Sequence, residues 1–246
     1  MTAHDIKETL LAIADADKAR HLMRFFKTGP GQYGEGDRFL GITNPQVRLV
    51  VKEAWKDCTI EMAERLAQDE WHEVRNTGLL IMVNHFQQAM RKKDKAVMTR
   101  VFETYTRLHP FINNWDLVDL SAPKIVGHYE MLFPEEGMMD EWIKPDHTLW
   151  QQRISMVATW QHVRCDHFEQ LVARAETLLP TKEDLLQKAA GWMLREMGQH
   201  SEAGREALLG FFDAHVEQMP ATMLSYALEK FPSDVRLYWR NRRKGL

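Results

Sequence analysis

The stretch 113–127, NNWDLVDLSAPKIVG, holds the residue pair best suited to chemistry. Trp115 and Asp119 stand four apart, so a helix over this stretch sets an indole beside a carboxylate on one face. Such a pair can act as an aromatic wall with an acceptor at its edge. It serves equally as a core tryptophan next to an aspartate that caps the helix or pairs with an arginine. In 149–160, LWQQRISMVATW, Arg153 interrupts an apolar register of Trp150, Ile154 and Val157. Its planar guanidinium fork would suit a phosphate, although a snorkelling surface arginine gives the same pattern. In 187–196, QKAAGWMLRE, Trp192 and Arg195 lie three apart. Ala189, Ala190 and Gly191 in the same stretch let a second helix approach closely. A core tryptophan with a salt-bridged arginine is the competing reading there.

The elements that must position these residues read as helices. In 45–55, PQVRLVVKEAW, Val47, Val50, Val51 and Ala54 share a face, with Asn44 as expected N-cap and Pro45 at the first helical position. Apolar periodicity predicts further helices over 71–90, 94–108, 114–128, 147–162, 167–178, 182–199, 202–215 and 221–230. Thr181 to Asp184 resembles a capping box opening the helix at 182. Alternating strand patterns are absent. Pro110, Pro134, Pro145, Pro180 and Pro220 punctuate the chain. Helices joined by short links make antiparallel pairs, so the expected fold is all-α, a HEAT-like helical-repeat solenoid of about six pairs at roughly 40 residues each. A compact irregular bundle satisfies the same periodicity. The irregular run 28–37, TGPGQYGEGD, must be a loop. No strand precedes it and no G-K-[ST] follows, so it is neither a P-loop nor a dinucleotide fingerprint.

Composition narrows the function classes. The chain has 246 residues, 44% hydrophobic and 27% charged, with a formal net charge of −3. No apolar run approaches the roughly 18 residues of a membrane span. The N-terminal stretch is acidic and amphipathic, unlike a secretory signal, and the chain is read as soluble and cytoplasmic, with no membrane partner. Cys58 and Cys165 form no C-x-x-C and no metal-ligand spacing, so neither a disulfide framework nor a metal site is expected. Phosphate binding would need local positive charge. Arg91-Lys92-Lys93 and the basic C-terminal segment 232–246, with Arg236, Arg240, Arg242, Arg243 and Lys244, supply it, although each also reads as a solvated helix end or tail.

Taken in order, these pieces resemble the DNA alkylation repair family of AlkD-like DNA glycosylases. The resemblance rests on W-D-L-V-D at 115–119, W-x-x-R around Arg153, and K-A-x-G-W-x-L-R-E at 188–196. Phe39-Leu40-Gly41-Ile42 followed by Pro45 and Arg48 is similar to the family's N-terminal signature, and Pro220 to Leu228 to its C-terminal one. The resemblance implies one domain over 1–246, a helical superhelix holding duplex DNA in a concave cleft, with 28–37 as a glycine-rich insertion. It implies a monomeric enzyme that hydrolyses the N-glycosidic bond of cationic alkylated purines, N3-methyladenine and N7-methylguanine, without an organic or metal cofactor. On that pattern the catalytic aspartate is Asp119, the two tryptophans are Trp115 and Trp192, and the DNA-binding arginines are Arg153 and Arg195. Two other classes fit the same chain: a non-catalytic binder of DNA structures, and a protein-interaction scaffold.

Overall fold

The computed structural model describes residues 1–136 and 138–245. Among them the chain is helical, and its one β pairing is an isolated bridge between Arg38 and Trp71. The all-α class expected from the periodicity is what the structure has. No described helix is long and apolar enough to cross a membrane. The chain divides into two compact units, Met1–Ile125 and Val126–Leu246.

The first unit contains α1 (Ala3–Ala12), α2 (Ala16–Phe25), α3 (Asn44–Ala54), α4 (Ile60–Ala67), α5 (His72–Lys92), α6 (Lys95–Arg107) and α7 (Trp115–Ala122). Helix α5 is its axis, packed against α3, α4, α6 and α7. That position explains its composition: Leu79, Ile81, Met82 and Phe86 are all buried, and so are His72, Glu73, Arg75 and Asn76 at its N-terminal end. A helix surrounded by others has no solvent face along which to sort its polar residues. The cap of α3 is Thr43, not Asn44. Thr43 and Gln46 form a capping box in which the Thr43 amide donates to Gln46 Oε1 at 3.0 Å. Asn44 is thereby inside the first turn, and its Oδ1 accepts from Asn76 Nδ2 at 2.9 Å.

Helix α7 does not run unbroken through 128 as the periodicity predicts. Pro123 has no N–H to give the carbonyl four residues back, and the chain widens into a π turn, Pro123–Gly127. The second unit then holds α8 (His128–Leu132), α9 (Met138–Trp142), α10 (Leu149–Ala158), α11 (Trp160–Val163), α12 (Glu169–Thr177), α13 (Asp184–His200), α14 (Glu202–His215), α15 (Ala221–Ala227) and α16 (Ser233–Arg243). Helix α13 is the axis here, flanked by α10, α14 and α15. The expected box at its start does not form: α13 begins at Asp184, and Thr181 Oγ1 instead accepts from the Glu183 amide at 3.3 Å. Gly191 does what its small size suggests, because a Cβ there would overlap the Met223 carbonyl of α15. The basic C-terminal stretch is largely helix, with Trp239 buried against Phe212; Leu246 lies outside the described residues.

Candidate functional site

Helix α7 begins where Asn114, buried, accepts the Trp115 amide on its own side chain at 2.9 Å. One turn then carries Trp115, Asp116, Asp119 and Leu120 into the lining of a single cavity of about 540 Å³ in the first unit. The pairing of indole and carboxylate expected from their spacing is therefore real. The sequence does not show that the rest of the cavity converges on this pair. Phe26 stacks on Trp115 with centroids 5.2 Å apart, and Phe25 meets the same indole edge-on at 6.0 Å. Phe39 continues the stack, 4.9 Å from Phe26 and 4.3 Å from the His72 ring. The Trp115 Nε1 donates to the Tyr33 hydroxyl at 3.1 Å. Tyr33 belongs to the glycine-rich run, so that loop holds the indole by its N–H without itself lining the cavity.

Behind the stack lies a buried charge network. His72 bridges two carboxylates, Nδ1 to Asp37 Oδ2 at 3.1 Å and Nε2 to Asp116 Oδ2 at 2.8 Å. Arg75 pairs with the other Asp37 oxygen, and Asn114 Nδ2 donates to Asp37 Oδ2 at 3.2 Å. Burial opposes a charge on His72, but the two carboxylates outweigh it and push its pKa up to about 9. Burial likewise opposes charge on Asp37, and His72 and Arg75 reverse that, holding its carboxyl below the usual range. Asp116 is thus committed to His72 and to the Leu117 amide, at 2.9 Å. Asp119, half-buried on the next turn, is the aspartate that lines the cavity without being part of that bridge. Its charge is felt by Tyr105, whose phenol is raised first by burial and further by Asp119.

A further carboxylate holds the turn that borders the cavity. Glu73 is buried and accepts from three successive amides, Leu40 at 2.9 Å, Gly41 at 2.9 Å and Ile42 at 3.1 Å. Gly41 has φ +83°, and a Cβ on it would overlap the Asp15 carbonyl, so this turn requires glycine. The sequence reading missed Phe26, His72, Glu73 and Asp37, and it took Phe39 and Asp116 only as parts of motifs, without a role in the site. Two signals pointed to them: Phe25-Phe26 closing an amphipathic helix, and the charged ends of the His72 helix lying among apolar neighbours.

The other expected site residues lie in the second unit. Arg153 of α10 is buried, and its Nη1 donates to the Leu185 carbonyl of α13 at 2.6 Å. Trp192 and Arg195 of α13 are joined by Glu196: the indole donates to Glu196 Oε1 at 3.1 Å, and the Arg195 Nη2 at 3.0 Å. Arg195 also pairs with Glu229. Among the described residues no three His, Cys, Asp or Glu side chains are gathered as metal ligands would be.

What this geometry offers is a largely apolar, partly open cavity walled by aromatic rings, with carboxylate charge at its edge that can stabilise a developing positive charge. Comparison with known proteins gives it a context. The family model of the DNA alkylation repair enzyme matches residues 6–231. Among solved structures, a predicted DNA alkylation repair enzyme from Enterococcus faecalis superposes with TM-score 0.68. It covers 89% of this chain and 97% of its own at 15% identity, a likeness of fold. No curated protein matches the chain.

Proposed function

The chain belongs to the DNA alkylation repair enzyme family, which implies DNA as its substrate, and from that premise we propose that it is a glycosylase for cationic alkylated purines in duplex DNA. N3-methyladenine and N7-methylguanine carry a fixed positive charge, so each is already a good leaving group. The base departs with the electron pair of the glycosidic bond and becomes neutral. Positive charge then develops on the sugar. The Asp119 carboxylate stabilises that oxocarbenium-like state and orients the water that attacks the anomeric carbon, whose proton passes to solvent. The indole face of Trp115 stabilises the cationic base and sugar, by about 0.5–2 kcal/mol; a like role for Trp192 rests on the family resemblance alone. Arg153 and Arg195 enter this reading as DNA-backbone contacts through the family resemblance alone, since Arg153 is buried against the Leu185 carbonyl and Arg195 is paired with Glu196 and Glu229. It takes residues 1–246 as one working domain, acting as a monomer in the cytoplasm and without cofactor.

The observation that carries the proposal is the shared cavity of Trp115 and Asp119, walled by Phe25, Phe26 and Phe39. A single-turnover assay of base release from N-methylated duplex DNA tests it. The wild-type protein should release methylated purine. Asp119→Asn should lower the rate about 10²–10³-fold, the loss typical of one electrostatic stabiliser, while DNA affinity changes little. Binding without base release would replace the glycosylase with a non-catalytic DNA binder. Absence of any salt-dependent DNA affinity would leave the scaffold reading.

A further inference from the structure

A second cavity in the first unit, of about 340 Å³, opens between α3, α5 and the π turn after α7. Three cations line it: Arg48 and Lys52, one turn apart on α3, and Lys124. The side-chain amides of Asn84 and Gln87 and the Trp55 indole complete it, and no carboxylate lines it. The absence of a carboxylate sets this cavity apart from the unit's paired arginines. Arg38, Arg75, Arg100 and Arg107 each pair with an aspartate or glutamate. Among the described residues no carboxylate partners Arg48, Lys52 or Lys124. Three cations and two amide groups converging on one space, with no counterion of the protein's own, form a receptor for an oxyanion.

The position of this cavity says which oxyanion. The same three helix stripes that line the aromatic cavity continue into it at four-residue steps. These are Asn44, Arg48 and Lys52 on α3; Asn76, Leu80 and Asn84 on α5; and Asp116, Leu120 and Lys124 along α7 and its π turn. Eight residues of helix span roughly 12 Å at about 1.5 Å per residue. Phosphates follow one another about every 3.4 Å of axis along one DNA strand. We propose that Arg48, Lys52 and Lys124 bind a backbone phosphate of the DNA three to four nucleotides from the nucleotide held at Trp115 and Asp119. Burial and the neighbouring Arg48 together draw Lys124 below the usual lysine range, a crowding that a bound phosphate relieves. The oxyanion chemistry stands on the cavity alone, whereas its assignment to DNA rests on the reading above.

The test uses the full chain, with Arg48→Gln/Lys52→Gln and, separately, Lys124→Gln. Arg48 and Lys52 are exposed, so the first variant keeps the fold. Two readouts are needed: the Trp55 indole resonance during titration with inorganic phosphate, and affinity for an undamaged duplex from 50 to 200 mM salt. Phosphate should shift the wild-type Trp55 signal and leave the double variant's unmoved. The slope of log affinity against log salt should become shallower by about 0.9 per cation removed, with affinity lost evenly across sequences. Wild-type slope and wild-type Trp55 response in both variants would overturn the site. A Trp55 response with an unchanged slope would overturn the DNA assignment and identify a site for free phosphate. A Trp55 response in a protein with no DNA affinity at all would sink the glycosylase reading and leave the anion site standing.

Discussion

His72 is the residue on which the shape of the aromatic cavity turns. It stacks on Phe39 while holding Asp37 and Asp116 apart by one hydrogen bond to each. Replacing it with leucine leaves two buried carboxylates without their bridge, a loss of about 3–5 kcal/mol in unfolding free energy, measurable by urea titration. The pH dependence follows from the raised pKa. His72 titrates near 9 in the folded chain against 6.5 for an ordinary histidine. Its contribution is therefore complete below about 6.5 and is lost as pH climbs through about 9. Asp37 works in the other direction: its carboxyl is held below 3.8, so its contribution is present above that value and disappears as pH falls further. Urea midpoints taken between pH 6 and 10 should fall on the alkaline side for the wild-type protein. His72→Leu should lack that decline; an equal decline in both proteins would assign it to other groups.

At the scale of elements, two helix contacts carry sharp expectations. Gly191 lets α13 press against α15, and Ala in its place puts a methyl group into the Met223 carbonyl. The helices must separate, at about 1–3 kcal/mol, even though alanine is the better helix former. A thermal melt of Gly191→Ala reads this, with a raised midpoint as the contrary result. Helix α16 shows how a charged segment can be structural. Arg242 pairs with Asp213 and lies over the Trp239 ring, and Arg243 Nε donates to the Met219 carbonyl at 2.6 Å. Trp239 is 5% exposed. Trp239→Ala should cost about 3–5 kcal/mol, while Arg240→Ala, on the exposed side of the same helix, should leave stability within about 0.5 kcal/mol.

For the molecule as a whole, net charge is the wrong guide to its partner. A formal charge of −3 describes the sum, but phosphates respond to local field. Some cations are neutralised by neighbours, such as Arg75, Arg174 and Arg242, whereas Arg48 and Lys52 have no carboxylate partner among the described residues. Arg174 is the clearest of the first group, buried among Glu130, Asp140 and the Ser155 carbonyl, where it ties α8, α9, α10 and α12 together. DNA affinity should accordingly fall steeply with salt in spite of the acidic total. Arg174→Met should act on stability and leave the salt slope alone, which calorimetric melting and the same salt series separate.

The sequence by itself determined the helical class, the residues of the Trp115–Asp119 turn, and the close approach at Gly191. Each depends on spacing along one helix or on the size of one residue. Helix ends were legible only in part, since Thr43 rather than Asn44 caps α3 and α13 starts without the expected box. The choice between neighbouring cap candidates turns on which side chain another partner claims, as Asn76 of α5 claims Asn44 while Thr43 pairs with Gln46. The cavity around the pair was decided by tertiary structure alone. Tyr33, Asp37, Phe39 and His72 come from a loop and from α5, at separations of up to 82 residues from Trp115. No periodicity records such distances, because what brings these residues together is the burial of one aromatic stack and the charge network behind it.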